Sequence, residues 1–301
     1  MLSPFGEEHE RFRATVRQFA IKEMAPHANE WEAAKEFPRE LFKRAGELGL
    51  FAAHYREEHG GAGGDYWFSM AKAEELCRGK SAGVTMALLV QGDMATPVIA
   101  ELGNADQIEE FLKPALRGEK IAALGVSEPD AGSDVAGIRT HAKRDGDDYV
   151  INGAKTYITN GARADFITML VKTKPDAGAH GCSFFTVPTN TPGFRVSRKL
   201  DKIGNHASDT AELAFEDVRV PKRYLLGEEN MGFMYLMQNF QTERLIACAS
   251  ACGGLELTLD QAVAFGRERK AFGKPILKRD YWQQKLVDLY TKLEEIGRAH
   301  V

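Results

Sequence analysis

The sequence is short of several things, and each shortage excludes something. There is no broad excess of basic residues: 39 Lys and Arg stand against 43 Asp and Glu, a net charge of −4. That balance makes nucleic acid a poor partner. Only four cysteines occur, Cys77, Cys182, Cys248 and Cys252, and none forms a Cys-x-x-Cys pair. Cys248 and Cys252 are four apart in a helical pattern, so they share a helix face. No further ligands lie near enough in sequence to complete a zinc site. Four reduced, buried cysteines suit a cytoplasmic protein, which is the expected location. No stretch reads as the roughly 20 consecutive apolar residues of a membrane span. The opening Met1-Leu-Ser-Pro-Phe-Gly-Glu-Glu lacks a cationic region followed by an apolar one, so it does not read as a secretory signal.

What is present is ordinary for a globular chain of 301 residues: 44% hydrophobic and 27% charged. This is enough for a sizeable core and argues against disorder. The pattern changes character twice along the chain. From Glu7 to about Leu124 it is helical, with Phe12, Val16, Phe19 and Ala20 on one stripe and Leu41, Phe42, Ala45 and Leu48 on another. Gly60-Gly-Ala-Gly-Gly64 interrupts the helices. It follows no clear strand and precedes no Lys-Ser/Thr, so it reads as a flexible connector rather than a phosphate cradle. Tyr66 to Cys77, Ser81 to Val90 and Ala105 to Leu116 continue the helical pattern.

From Val126 to about Leu226 the period becomes strand-like, with runs at 149–153, 166–172, 182–187, 194–197 and 211–215. Short strands separated by Gly, Pro, Asp and Asn predict a β-sandwich or small barrel. After Gly232 the helical period returns. Phe233 to Arg267 reads as one long helix interrupted or softened at Gly253-Gly254, and Tyr281 to about Glu294 as another. The predicted fold class is α+β and multidomain. An N-terminal helical domain spans 1–122, a middle β domain 123–230 and a partial C-terminal helical domain 231–295.

The most informative stretch is Gly125-Val-Ser-Glu-Pro-Asp-Ala-Gly-Ser-Asp-Val-Ala-Gly137. Three glycines, a proline, two serines and three carboxylates make a poor helix or strand interior and a good shaped loop. Glycines admit close backbone approach to a ligand, and serine hydroxyls and free N–H groups bind phosphate oxygens.

Together with four further landmarks, this loop resembles the acyl-CoA dehydrogenase family. Tyr157-Ile-Thr-Asn-Gly161 is similar to the family's second flavin segment, with tyrosine in place of the usual tryptophan. Lys202-Ile-Gly with Ser208-Asp-Thr, then Phe215-Glu-Asp-Val-Arg-Val-Pro221, then Arg269-Lys-Ala-Phe-Gly273 follow in the family's order. The resemblance runs from about Glu7 to Glu294. It implies a helical N-terminal domain, a β-barrel-like middle domain and a C-terminal helical bundle, with FAD between the last two. It implies that Leu124, Val126, Ser127, Gly132, Ser133, Tyr157, Ile158 and Thr159 line the cofactor. Ser127 and Thr159 would bond the isoalloxazine edge, and Tyr157 would offer a flat face. Ser133 would contact ligand phosphate or pantetheine. Arg269 would pair with the FAD pyrophosphate of a neighbouring subunit.

The family reaction removes the α-proton of an acyl thioester and passes a hydride from the β-carbon to flavin N5. It needs a carboxylate base. Most members carry it in a loop near the C-terminal end, beyond the resemblance seen here. A subset, including isovaleryl-CoA and long-chain members, carries it on a helix as Glu-Arg. Gln241-Thr-Glu-Arg-Leu245 aligns with that helix, so the resemblance implies Glu243 as base and Arg244 as a neighbour binding the CoA portion. Without the resemblance, an exposed Glu-Arg pair is the commoner fate of such a dipeptide, and Arg269 reads as a solvated helix-end charge. Glu128 and Asp134 read as loop architecture, and His206 as a non-catalytic polar residue. No metal is expected.

Two features depart from the family pattern. Where members carry an aromatic-Gln pair after Arg-x-x-Phe-Gly, this chain has Arg279-Asp280. Residues 296–301 resemble a translated sequencing-library adapter and are expected to be a non-native tail, with the last bundle helices missing and apolar helix faces exposed. The implied partners are an acyl-CoA substrate, an electron-transfer flavoprotein and further copies of the chain in a tetramer or dimer. Two other readings remain. A same-fold flavoenzyme that reacts with oxygen, an acyl-CoA oxidase or flavin monooxygenase, would be separated by peroxide production under air. A non-enzymatic acyl-CoA binding protein would bind acyl-CoA without flavin.

Overall fold

A computed structural model describes residues 4–298. Side-chain surroundings are described to residue 296, and residues 299–301 of the tail expected at 296–301 lie outside the described residues. The N-terminal part is helical: α1 (Glu7–Phe19), α2 (Ala28–Ala34), α3 (Glu40–Glu47), α4 (Trp67–Leu76), α5 (Ala82–Leu89), α6 (Pro97–Leu102), α7 (Ala105–Gln107) and α8 (Lys113–Leu116). Acidic Glu7, Glu8 and Glu10 occupy the first turn of α1, where they complement the helix dipole. The stripe read from the sequence is buried at Val16, Phe19 and Ala20. One carboxylate ties α1 to α4. Glu75, 2% exposed, takes Arg17 through two bonds of 2.7 and 2.8 Å, with Arg13 at 3.3 Å and Arg78 at 3.0 Å. An enclosed carboxylate is tolerated when its lone pairs are filled in this way.

The stretch Ala82–Leu102 corrects the expectation about apolar runs. Its 21 residues are long and apolar enough, by length and composition, to cross a membrane. Its most apolar window is 83% buried inside the protein, so here it serves as the core of the helical domain. Ser81 caps it by accepting from Val84 N at 3.3 Å. Between α5 and α6 the helix widens to a π-turn over Val90–Ala95. Asp93, carried on that turn, is enclosed with Lys72, their charged atoms 2.8 Å apart.

The middle part is one eight-stranded sheet. Its strands are β1 (Ala122–Gly125), β2 (His141–Asp145), β3 (Asp148–Thr159), β4 (Phe166–Lys172), β5 (Cys182–Pro188), β6 (Phe194–Lys199), β7 (Thr210–Pro221) and β8 (Leu225–Leu226). The order is β6-β7-β3-β2-β4-β5-β8, with β1 parallel to β4. The β character read from the sequence is present. The sheet stays open: among the described residues β6 and β8 are its outer members and do not pair, so no barrel closes. All seven residues of β4 are buried, which explains its unbroken apolar run, whereas five of six in β6 are exposed. β3 and β7 pair along twelve residues with two irregularities, one at Gly153 and one between Lys155 and Ile158. Gly153 has φ +146°, and a Cβ there would lie 2.5 Å from Thr140 Oγ1.

The C-terminal part is α9 (Gly232–Glu268), a small hairpin of β9 (Lys270–Ala271) and β10 (Lys274–Pro275), and α10 (Asp280–Arg298). The expected break in α9 does not occur. The glycine pair is there for contact: a Cβ on Gly253 would sit 2.4 Å from Glu74 O, so the backbones of α4 and α9 touch at this point. As expected, apolar side chains stay exposed on the last elements, among them Phe265, Phe272, Tyr281 and Val287.

Candidate active site

The loop that follows β1 is held from beneath. Glu128, 7% exposed, accepts from Arg139 N at 2.6 Å and Thr140 N at 3.1 Å. Its Oε1 also lies 2.8 Å from Lys155 Nζ, and Lys155, fully enclosed, donates to Val126 O at 3.0 Å. Burial would raise the Glu128 carboxyl, but Lys155 and the backbone N–H groups outweigh it and hold the group below its ordinary value. Glu128 therefore has the architectural role read for it. Thr156 N donates to Ser127 O at 2.9 Å, which joins the loop to β3.

The second irregularity of β3 falls at Tyr157. A bulge re-aims a side chain that regular pleating would have buried. Tyr157 has φ +61° and is 71% exposed, while its neighbour Ile158 is 3% exposed. A bulky residue with positive φ is strained and persists only when its surroundings hold it.

α9 crosses in front of these two segments. Phe240, Glu243, Arg244 and Ala247 are spaced i, i+3, i+4, i+7 and share one helix face. With Met86, Val90 and Met94 from the α5 side, and with Leu124, Val126, Ser127, Tyr157, Ile158 and Thr159 from the middle part, they enclose a cavity of about 350 Å³. Glu243 is the acid in its wall. Its Oε2 is enclosed and has no hydrogen-bond partner among the described residues. Burial pushes its carboxyl up to about 7, with Arg244 opposing the shift. The Arg244 guanidinium lies 5.5 Å from the Phe240 ring centre.

The structure thus brings together Leu124, Val126, Ser127, Tyr157, Ile158, Thr159, Glu243 and Arg244. It does not bring Gly132, Ser133 or Arg269 to that cavity. Gly132 and Ser133 are exposed on the outer part of the loop. Arg269 is exposed just past the end of α9, about 39 Å along the helix from Glu243 at 1.5 Å per residue. Met86, Val90, Met94 and Phe240 also line the cavity and were not singled out from the sequence. In a uniformly apolar helix such as α5 no periodicity marks which face meets a ligand.

The arrangement suits a flat, hydrogen-bonding ring. It offers one exposed aromatic face, two small hydroxyl residues and an orphaned carboxylate oxygen opposite them. A carboxyl with a value near neutrality is matched to proton transfer.

Comparison with known proteins agrees with this layout. Three family models match in order: the acyl-CoA dehydrogenase N-terminal domain over residues 6–119, the middle domain over 123–218 and the C-terminal domain over 230–301. The mitochondrial long-chain specific acyl-CoA dehydrogenase of Mus musculus is 42% identical, over 96% of this chain and 67% of its own length. The crystal structure of acyl-CoA dehydrogenase from Geobacillus kaustophilus superposes with a TM-score of 0.94 at 39% identity, covering 99% of this chain and 78% of that one. A glutaryl-CoA dehydrogenase from Mycobacterium smegmatis, solved in complex with FADH2, gives a TM-score of 0.92 at 31% identity, covering 98% and 75%.

Proposed function

The chain belongs to the acyl-CoA dehydrogenase family, and from that premise we propose that it dehydrogenates an acyl-CoA thioester between the α and β carbons, with Glu243 as the base. One observation carries the assignment of the base. Glu243 faces the cavity formed by the two flavin-like segments, with an enclosed oxygen that has no partner among the described residues and a carboxyl raised to about 7.

The residues fit the family's cofactor, FAD. Ser127 and Thr159 would hold the ring edge, and the exposed face of Tyr157 would pack against the ring. When bound, FAD supplies the two-electron acceptor for the hydride that leaves the β-carbon. Glu243 takes the α-proton at Oε2. Burial supports this role twice: it raises proton affinity toward neutrality and, among the described residues, leaves no competing donor on that oxygen. The Lys155–Glu128 clamp fixes the Val126 carbonyl and so the orientation of the loop at Ser127. Arg244 and Ser133 are the groups proposed for the CoA portion, and Arg269 for the cofactor of a neighbouring copy. An electron-transfer flavoprotein is the proposed electron acceptor.

The test is anaerobic titration of the FAD-loaded protein with acyl-CoA while the flavin absorbance is followed. Bleaching with formation of enoyl-CoA is the expected result. Binding of acyl-CoA without bleaching would overturn the proposal. Peroxide formation under air would move the protein to the oxidase reading.

A further inference from the structure

The connector Gly60–Gly64, which reads from the sequence as flexible, is bonded along its whole length. Gly60 N donates to Glu57 O, Gly61 N to Arg56 O, Ala62 N to Ala52 O, Gly63 N to Tyr55 O and Gly64 N to Ala53 O, at 2.8–3.1 Å. Its glycines permit close approach. A Cβ on Gly61 would lie 2.0 Å from Tyr55 O, and one on Gly64 would lie 2.7 Å from Ala53 O. Such a strap delivers the residues that follow it to a fixed place. Tyr66 stands immediately before α4, and its carbonyl accepts from Ser69 N at 3.0 Å.

From that point Tyr66 reaches the helix that carries Glu243. Its hydroxyl donates to Thr242 O at 3.0 Å, and Thr242 immediately precedes Glu243 in α9. Burial raises the Tyr66 hydroxyl far above its ordinary range, so it stays a donor. The ring is set in turn: His54 meets it edge-on with centroids 5.7 Å apart, and His54 Nδ1 lies 2.8 Å from Ser69 Oγ. Thr242 O is in the interior of α9, where the helical ladder already gives it a donor. The carbonyl therefore has no need of Tyr66, and the bond acts as an anchor on the backbone. A second anchor lies one turn earlier, where Asn239 Nδ2 donates to Met94 O at 3.2 Å. Met94 and Glu243 line the same cavity. The turn 239–243 is thus tied to the start of α4 by one bond and to the π-turn Val90–Ala95 by another.

We infer that Tyr66 is a positioning residue for the base: its hydroxyl, placed by the glycine strap, fixes the α9 backbone at Thr242 and so sets where the Glu243 carboxylate stands in the cavity wall. The inference rests on the acyl-CoA reading, in which Glu243 takes the α-proton. A base on a helix has no loop to adjust it, so its distance from the α-carbon is decided by how the helix is docked. A misplacement of about 1 Å can cost about a hundredfold in rate. The residues around the first cavity do not include Tyr66, so losing its hydroxyl should act on rate and leave binding there intact.

The test is Tyr66→Phe, which keeps the ring and removes the hydroxyl. Thr242 O keeps its helical donor, so the variant should fold and take up FAD. Anaerobic stopped-flow reduction at saturating acyl-CoA should be about tenfold slower than in the unmodified protein, while Kd for FAD and for acyl-CoA stays within about twofold. Tyr66 also lines a neighbouring cavity of about 450 Å³ between α6 and α9. The shortest and longest acyl-CoA esters that bleach the unmodified protein are therefore run side by side, and a loss through the base should be the same for both. Reduction within about twofold of the unmodified rate overturns the inference. So does a weakening of FAD or acyl-CoA binding that matches the loss in rate, or a loss seen only with the longer ester. These outcomes leave the acyl-CoA reading standing. That reading fails, and the inference with it, if no ester bleaches the flavin of the unmodified protein.

Discussion

The pH at which Glu243 ionises separates a working base from an ordinary surface acid. Its carboxyl is raised from 4.5 to about 7, with burial as the leading cause. Because the folded value lies above the ordinary one, the carboxylate is lost as pH falls through about 7 and is complete only about one unit above it. From about pH 6 to about pH 8 the ionised fraction rises about tenfold, and the rate of flavin reduction should rise with it. A carboxylate near 4.5 would already be almost fully ionised at pH 6 and give a flat profile there. Stopped-flow reduction of the FAD-loaded protein by saturating acyl-CoA, repeated across pH, measures this directly. Covering the cavity with cofactor and substrate removes more water from Glu243, so the limb should shift upward if it moves at all. A profile flat from about pH 6 to about pH 8 would refute the reasoning.

Two further predictions concern the scaffold. Lys155→Met leaves Glu128 charged and enclosed, and should cost about 3 kcal/mol in thermal unfolding measurements. Adding Glu128→Gln to it should restore part of that loss; a double variant less stable than the single one would contradict the clamp. Gly253→Ala should cost about 1–3 kcal/mol, because α4 and α9 must part at Glu74. Gly254→Ala, which has nothing within 4 Å of its new methyl group, should instead gain up to about 1 kcal/mol.

Much of this was legible because it is local. Helical and strand periods, the Gly125–Gly137 loop and the order of five landmarks are properties of neighbouring residues. They pointed to the helical and β parts, and the resemblance they carry implied eight residues that line one cavity. What escaped depends on distant contacts. Gly253 reads as a helix breaker until Glu74, far off in sequence, is found against it. β1 is four residues long and is a strand only because β4 lies parallel to it. In the run Ala82–Leu102 charged Asp93 interrupts the apolar pattern, yet Lys72 from another helix neutralises that charge. The bulge at Tyr157 follows from register against β7.

The central claim is that Glu243 removes the α-proton. The most direct measurement is anaerobic reduction by acyl-CoA of Glu243→Gln beside the unmodified protein, both loaded with FAD. The amide keeps the shape and loses the base, so the variant should retain the flavin spectrum, bind acyl-CoA and fail to bleach. Bleaching at a rate near that of the unmodified protein would remove Glu243 from the mechanism.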